Sequence, residues 1–369
     1  MQFATYKDSF LSALNRVSKI VKSNPRSVES LQCVKITSYA GQVYVSAVSS
    51  MGSAKVMIQG AKSSGSEDVL VDLDRLKDRV SKTSNMLKVE VDSHTLKITS
   101  TDDQRLGLAI NDPREYPDVA WAVPEESYGL DKEELLNLFE IANRITNTTT
   151  ALTPPFLQVL IRDNILWVAN EASYQKFPIE CNPSLEASVP TQTLAALSRF
   201  IQESEGDRVW LSQVGEDDIV VTVGNDQFQT TPLAVAFPEL SPMFDRVKVM
   251  TTYQLTLDRA KLLSSLTKAK TSSDNYGRVT IDILGTGLTN ITIQSQSQAG
   301  DWYEATQSAV WDGEGERSLT FNIETLTKFL SSYVEDKIIL RIGDDYRGDL
   351  SPVYVEEGER IGIITQFRI

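Results

Sequence analysis

The sequence predicts an α+β chain of three similar domains, each an antiparallel sheet carrying two helices. Two motifs that recur in one order, and alternating strand-like runs between them, predict it. The first motif reads Leu130-Asp131-Lys132-Glu133-Glu134-Leu135-Leu136 with Phe139 one turn on. It returns as Leu257-Asp258-Arg259-Ala260-Lys261-Leu262-Leu263 with Leu266, and in worn form as Thr5-Tyr6-Lys7-Asp8-Ser9-Phe10-Leu11 with Leu14. The apolar positions keep the offsets of one helical face. In two copies Asp follows a β-like residue, where an N-cap or first-turn acid belongs. The copies start about 125 residues apart, a domain-sized period. The second motif aligns Val71-Asp72-Leu73-Asp74-Arg75-Leu76, Val189-Pro190-Thr191-Gln192-Thr193-Leu194 and Phe321-Asn322-Ile323-Glu324-Thr325-Leu326. Each follows the first motif by roughly 55 to 65 residues and opens another amphipathic helix. Two motifs, three times in the same order, indicate triplication rather than unrelated helices. The domains are therefore expected at 1–123, 124–246 and 247–369.

In the first repeat, Met1 to Thr5 predicts a strand and Lys7 to Val21 a helix. Alternation predicts strands at Val34 to Thr37, Val43 to Val48 and Ala54 to Ile58. A Ser/Gly loop follows at Lys62 to Asp68, then a helix at Leu73 to Ser81. A hairpin of Leu87 to Val91 and Leu96 to Ser100 turns at Asp92-Ser93-His94, and Leu106 to Ile110 adds a strand. In the second repeat a helix spans Asp131 to Ile145. Strands follow at Leu157 to Arg162, Ile165 to Ala169 and Lys176 to Glu180, and a helix at Thr191 to Gln202. Strands at Val209 to Gln213, Ile219 to Val223 and Phe228 to Thr231 complete it. Tyr116-Pro117 and Phe237-Pro238 read as connectors, since Pro cannot donate to a ladder. The third repeat predicts a helix at Asp258 to Lys270 and strands at Val279 to Ile283, Thr289 to Ser295 and Glu304 to Val310. A helix at Glu324 to Ser332, a hairpin of Ile338 to Ile342 and Val353 to Val355, and a closing strand Arg360 to Phe367 end the chain. Two helices can cover one face of such a sheet.

The chain has 369 residues and a net charge of −14, so its surface as a whole does not attract nucleic acid. Cys33 and Cys181 lie in different repeats inside strand-like runs and read as buried reduced thiols rather than a disulfide or metal site. Lys7 and Asp8 interrupt the start before an apolar core forms, so no signal peptide is expected. No apolar run is long enough to span a bilayer. A cytoplasmic protein is the expectation, which makes the Asn-x-Thr matches at Asn147 and Asn290 incidental.

Catalytic chemistry finds little support. His94 is the sole histidine, in a predicted turn, and a His-based site needs partners. Asp102-Asp103, Asp217-Asp218 and Asp344-Asp345 could suggest metal or acid–base work. The last two pairs have Gly215 and Gly343 beside them where a hairpin reverses, and turn chemistry explains them more cheaply. Gly285-Thr286-Gly287 lies between strands and does not open a helix, so it is not a phosphate cradle. No cofactor or metal spacing is present, and a non-enzyme is the expectation.

Charge is more telling. The six helices sum to roughly +5, which leaves about −19 on strands and loops. Repeat one contributes Arg16, Lys19, Lys22, Arg75, Lys77 and Arg79; repeat three adds Lys268. Solvated helix faces explain any single lysine, but the aggregate suits a polyanion held by phosphate contacts without base reading. The first helix of repeat two departs from this with Glu133, Glu134 and Glu140.

The organisation resembles the bacterial-type DNA polymerase III beta subunit, the sliding clamp. The resemblance covers the whole chain. It rests on length, the paired helices of three repeats, the start Met1-Gln2-Phe3, the two aromatic-Pro connectors, and the closing Gly362-Ile363-Ile364-Thr365-Gln366-Phe367-Arg368-Ile369. It implies the DNA clamp fold, with two chains joined into a closed ring, helices lining the hole and sheets outside. The function it implies is a processivity factor that encircles double-stranded DNA without reading sequence and tethers the replicative polymerase. The implied lining is Arg16, Lys19, Lys22, Arg26 and Arg75, to which charge adds Lys77, Arg79 and Lys268. Thr191 and Gln192 stand where the family usually carries basic residues.

The resemblance also implies an apolar groove for short peptide motifs of the polymerase and clamp loader. Its walls would be Leu157, Pro238, Arg246, Val247, Leu350, Ile363, Thr365, Phe367 and Arg368. Asn170-Glu171-Ala172-Ser173-Tyr174-Gln175 replaces the family's Thr-Asp-Gly-His-Arg-Leu-like run, which implies altered groove specificity and suits a divergent or phage-encoded member. Two other classes stay open: a viral structural or assembly protein of repeated β-rich domains, and an enzyme with paired carboxylates.

Overall fold

The computed structural model describes residues 1–22, 28–119, 121, 129–147, 153–181, 185–214, 218–230, 232–344 and 351–367. Residues 1–123 hold β1 (Gln2–Tyr6), α1 (Lys7–Lys22), β2 (Cys33–Tyr39), β3 (Gln42–Ser49), β4 (Gly52–Ser64), β5 (Asp68–Asp72), α2 (Leu73–Ser81), β6 (Met86–Val91), β7 (Thr95–Ser100) and β8 (Arg105–Ala109). Residues 124–246 hold β9 (Gly129–Asp131), α3 (Lys132–Thr146), β10 (Gln158–Arg162), β11 (Ile165–Ala169), β12 (Ser173–Pro178), β13 (Ala187–Pro190), α4 (Thr191–Glu203), β14 (Arg208–Val214), β15 (Asp218–Val223) and β16 (Asp226–Thr230). There follow α5 (Ser241–Met250), β17 (Tyr253–Asp258), α6 (Arg259–Ala269), β18 (Arg278–Leu284), β19 (Gly287–Gln296), β20 (Trp302–Trp311), β21 (Arg317–Asn322), α7 (Ile323–Leu330), β22 (Lys337–Ile342), β23 (Val353–Glu357) and β24 (Arg360–Ile364). Among the described residues no helix is long and apolar enough to cross a membrane.

The chain forms two compact units: Met1–Glu140 with Glu180–Leu233, and Ile141–Ile179 with Ala234–Ile369. In the first unit one antiparallel sheet runs β8-β7-β6-β1-β4-β16-β15-β14-β9, and β3, β2 and β5 extend from β4 in that order. The pairing of β16 with β4, through Gln227↔Lys55, Phe228↔Ala54 and Gln229↔Ser53, carries the ladder from the first repeat into the second. At its end the backbones approach so closely that a Cβ on Gly52, whose φ is +133°, would lie 2.3 Å from the Gln229 carbonyl oxygen. Only glycine fits there. In the second unit the antiparallel order is β10-β11-β12-β24-β23-β22-β17-β20-β19-β18-β21.

Helix α1 buries Phe10, Ala13, Leu14, Val17, Ile20 and Val21, and Phe10 meets Phe3 edge to face at 6.0 Å. Each such large side chain contributes about 1.5–3 kcal/mol on burial. The repeats are visible in how the helices begin. α1, α3 and α6 open at Lys7, Lys132 and Arg259, and α2, α4 and α7 at Leu73, Thr191 and Ile323, all at matching motif positions. Asp131 accepts the Glu134 N–H, Asp258 that of Lys261, Asp72 that of Arg75 and Asn322 that of Thr325, each satisfying an orphan donor of a first turn.

A second recurrence was not read from the sequence. The cation that opens the first helix of each repeat donates to a carbonyl just after the second. Lys7 Nζ reaches Thr83 O at 2.9 Å, Lys132 Nζ reaches Ser204 O at 2.6 Å, and Arg259 Nε reaches Glu335 O at 2.7 Å. The backbone N–H groups of the same three residues donate to Asn85, Asp207 and Asp336. These charge-assisted bonds clasp the two helices of each repeat together and satisfy carbonyls beyond the second helix end.

Several sequence expectations are corrected. The stretch after Phe237-Pro238 is not only a connector: it contains α5, with Pro242 in its first turn and Phe244 and Val247 buried. Pro is tolerated there because its missing N–H would have no intrahelical partner. β5, β9, β13, β17 and β21 were not expected as strands. β4 runs to Ser64, into the expected loop, because β1 pairs with it there (Ala4↔Lys62). Asp218 begins β15 rather than sitting in a turn, whereas Asp217 and Asp345 lie outside the described residues. His94 does lie in the β6–β7 turn, its N–H taken by Asp92 Oδ1 at 3.1 Å.

Cys33 is fully buried, its Sγ 3.2 Å from Asn111 Nδ2, and neither cysteine forms a disulfide. Burial pushes the Cys33 thiol up to about 11. Its thiolate is therefore scarce in the folded state at neutral pH. Iodoacetamide at pH 8 is expected to leave Cys33 unmodified in native protein and to label it in urea, by peptide mass mapping; rapid native labelling would contradict the burial. Because the folded pKa is raised, this group's contribution to stability is present below the unfolded pKa near 9. It is lost as pH rises through about 11.

Candidate nucleic-acid interface

Helices α1, α2 and α4 pack as neighbours in the first unit, α1 touching both others. Each buries a stripe: Phe10, Leu14, Val17 and Val21 on α1, Leu73, Leu76 and Val80 on α2, Leu194, Leu197, Phe200 and Ile201 on α4. The polar sides of all three then meet in one trough of about 780 Å³, lined by Lys19, Lys22, Lys77, Arg199, Asp8 and Glu203 together with Asn15, Ser12 and Ser18 of α1. Four cations face two anions, so the trough is positive in a chain whose net charge is −14. Arg199 is held by Glu203 at 2.6 Å. The Lys77 ammonium is held below the usual lysine range, first by partial burial and then by Lys22 beside it, with Asp74 opposing. A phosphate oxygen seated between Lys22 and Lys77 would relieve that repulsion.

The structure brings Lys19, Lys22 and Lys77 together. Arg75 and Arg79 are exposed on α2 but do not line the trough. Lys268 is exposed on α6 in the second unit, and Arg26 lies outside the described residues. Arg16 is a correction. It is 6 % exposed and its guanidinium is ion-paired to Asp226, itself 3 % exposed, so it offers no surface charge. The sequence held the warning: Ala13 and Ile20, three residues before and four after, are both on the buried stripe. Asp226 Oδ1 also accepts the Met57 N–H at 2.9 Å. Burial pushes its carboxyl up, against the pull of Arg16 and of that N–H.

Arg199 was missed. Its signal was the α4 stripe itself, which leaves position 199 on the polar side. It places a cation about two turns beyond Thr191 and Gln192, where the resemblance had led to the expectation of basic residues. In the second unit the helix cations are mostly engaged: Arg259 in its clasp, Lys261 with Asp258 at 3.5 Å, Lys328 with Glu324 at 2.7 Å.

The residues named for the implied peptide groove belong to the second unit. Val247 and Ile363 join one apolar cluster with Leu160, Trp167, Phe244 and Tyr354, edged by half-buried Phe156, Tyr174 and Phe237. Leu157 and Arg246 are exposed and Pro238 is half-buried. Phe367 is set apart from that cluster, its ring 6.2 Å from Tyr276 and its N–H on Thr320 O. Thr365 donates twice to Ala172 O. Leu350 and Arg368 lie outside the described residues. The divergent run at 170–175 opens in a tight turn and then enters β12: Asn170 Oδ1 accepts the N–H groups of Ala172 and Ser173, and its Nδ2 donates to Ile145 O.

Residues 1–120 match the family model of the DNA polymerase III beta subunit, N-terminal domain. Over 100 % of both chains the structure is similar to the DNA polymerase III subunit beta of Pseudomonas aeruginosa, at 16 % identity and a TM-score of 0.81. It is similar over the same full extent to the beta sliding clamp of Caulobacter crescentus, at 16 % and 0.84. A putative beta subunit from Eubacterium rectale gives 16 % and 0.83. No curated protein sequence matches the chain. The chain has the fold of these beta clamps over its whole length, and its first 120 residues match the N-terminal-domain model by sequence.

Proposed function

We propose that this chain is a sliding clamp. Residues 1–123, 124–246 and 247–369 are its three clamp domains, and two copies close into a ring around double-stranded DNA. The observation that carries the reading is the positive trough built by α1, α2 and α4 in an otherwise acidic chain. Phosphate contacts from Lys19, Lys22, Lys77 and Arg199 hold a duplex without reading its bases, which is what sliding needs. The cluster around Val247 and Ile363 supplies the apolar floor on which a short motif of a polymerase or clamp loader docks.

Two free strand edges support closure. Among the described residues β8 pairs only with β7, and β20 meets β17 only at Val310 and Trp311, so there the stretch from Trp302 to Ala309 has one unpaired side. Such edges invite a partner strand. Arg105 on β8 and Glu304 on β20 are exposed and of opposite charge. With β8 of one copy on β20 of another, twofold symmetry makes both joints alike and leaves neither edge open. No catalytic role is assigned to any residue. The decisive test loads the protein on nicked circular DNA and then cuts the circle. Retention that survives salt on the circle and is lost on linearisation is expected, together with a dimer in sedimentation. Equal retention on both DNA forms, or a monomer at micromolar concentration, would sink the reading.

A further inference from the structure

Within the first unit one face of β2, β3 and β4 carries polar side chains in register. Lys35 lies opposite Ser46, and Ser46 opposite Lys55. Two residues along, Asp68 of β5 lies opposite Thr37, and Thr37 opposite Tyr44. Alternation puts all of these on one side, while Ile36, Val45 and Val56 fill the core on the other. The segment that follows β8 crosses this face. Tyr116 is buried and its hydroxyl accepts the Val48 N–H at 2.9 Å. The Trp121 ring lies 5.7 Å from Lys55 Nζ. A pocket of about 340 Å³ results, floored by Lys35, Ser46 and Lys55 and walled by Tyr39, Tyr44 and Trp121, with the carboxylates of Asp68 and Asp118 also on its lining.

The two ammonium groups differ in what holds them. Lys35 is paired with Asp68 at 2.8 Å. Lys55 sits 4.6 Å above the Tyr44 ring, and no carboxylate of a described residue pairs with it. Burial holds its ammonium below the usual lysine range. A half-buried cation resting only on ring faces gains from a real counter-anion. The volume is at the small end for a ligand pocket, and exposed Tyr39 and half-buried Trp121 offer a flat apolar wall.

We propose that this pocket binds a carboxylate carried next to an aromatic ring. The carboxylate lies over Ser46 between the two ammonium groups, and the ring lies against Trp121 and Tyr39. The site is separate from the helix trough and does not depend on the clamp reading. N-acetyl-phenylalanine and its amide are the probes, titrated into the full chain by calorimetry. The acid is expected to bind and the amide at least about tenfold less tightly, the size of one charge-assisted contact. Lys55→Met is expected to weaken the acid about tenfold with an unchanged melting temperature. Acetyl-Asp-Phe-amide separates the sources: tighter binding than the free acid identifies a peptide ligand, weaker binding a small-molecule acid. Equal binding of acid and amide, or Lys55→Met binding like the parent, would overturn the proposal. Should Lys55→Met melt early, Lys35→Met and the loss of binding in high salt give the same decision.

Discussion

Replacing Lys19, Lys22 and Lys77 together by Glu is expected to lower retention on circular duplex about a hundredfold and to flatten its salt dependence by about three phosphate contacts. The three ammonium groups share one trough with Arg199, and none is in an ion pair with a described residue. Lys19 and Lys22 are exposed, so their reversal does not unfold α1, whose stability lies in the Phe10, Leu14 and Val17 face. Partial burial and then Lys22 hold the Lys77 ammonium below the usual lysine range, and an anion between the two would oppose that repulsion. The paired control is Arg75→Glu with Arg79→Glu, which changes charge on α2 outside the trough and is expected to cost far less. Filter retention on nicked circles across a salt series reads both. Equal losses from the two variants would show that bulk charge, not the trough, holds DNA.

The second large effect is on stability. Asp226→Ala is expected to destabilise the first unit by about 3–5 kcal/mol, because it leaves the Arg16 guanidinium buried and unpaired. The Met57 N–H loses its acceptor as well. Lost melting temperature should be roughly 10 °C for a unit of this size. Arg16→Met with Asp226→Leu removes both charges and is expected to recover most of that loss, since an apolar pair of similar volume often matches a buried ion pair. Thermal unfolding by circular dichroism decides it. A double variant as unstable as Asp226→Ala would mean that packing, not charge, accounts for the cost.

Much of the helical framework was legible because the starts of α2, α3, α6 and α7 combine an Asp or Asn cap with an apolar stripe within a few residues. Local signals of that kind survive in one sequence. The short strands were not legible: β9 spans Gly129–Asp131 and β13 Ala187–Pro190, too few residues for a period, and their strand character comes from distant partners. α5 escaped because Pro242 and the preceding Phe237-Pro238 look like punctuation, and only Phe244 and Val247 mark its buried side. Arg16 shows the opposite failure. Its residue type suggested surface charge, although its angular place on α1 argued for burial, and the Asp226 that satisfies it lies 210 residues away. Of the trough's cations, Lys19 and Lys22 are named in the sequence by the resemblance and by helix charge, and Lys77 by helix charge. Arg199 needed the same count weighed by face.

The ladder bonds between β4 and β16 have a consequence for how the polypeptide could be made. They bind the two halves of the first unit through backbone rather than through the link after Val119. A gene cut in that link and expressed as two fragments should then reassemble spontaneously, each fragment finishing the other's sheet. Split reporters or segmental isotope labelling could be built on that seam.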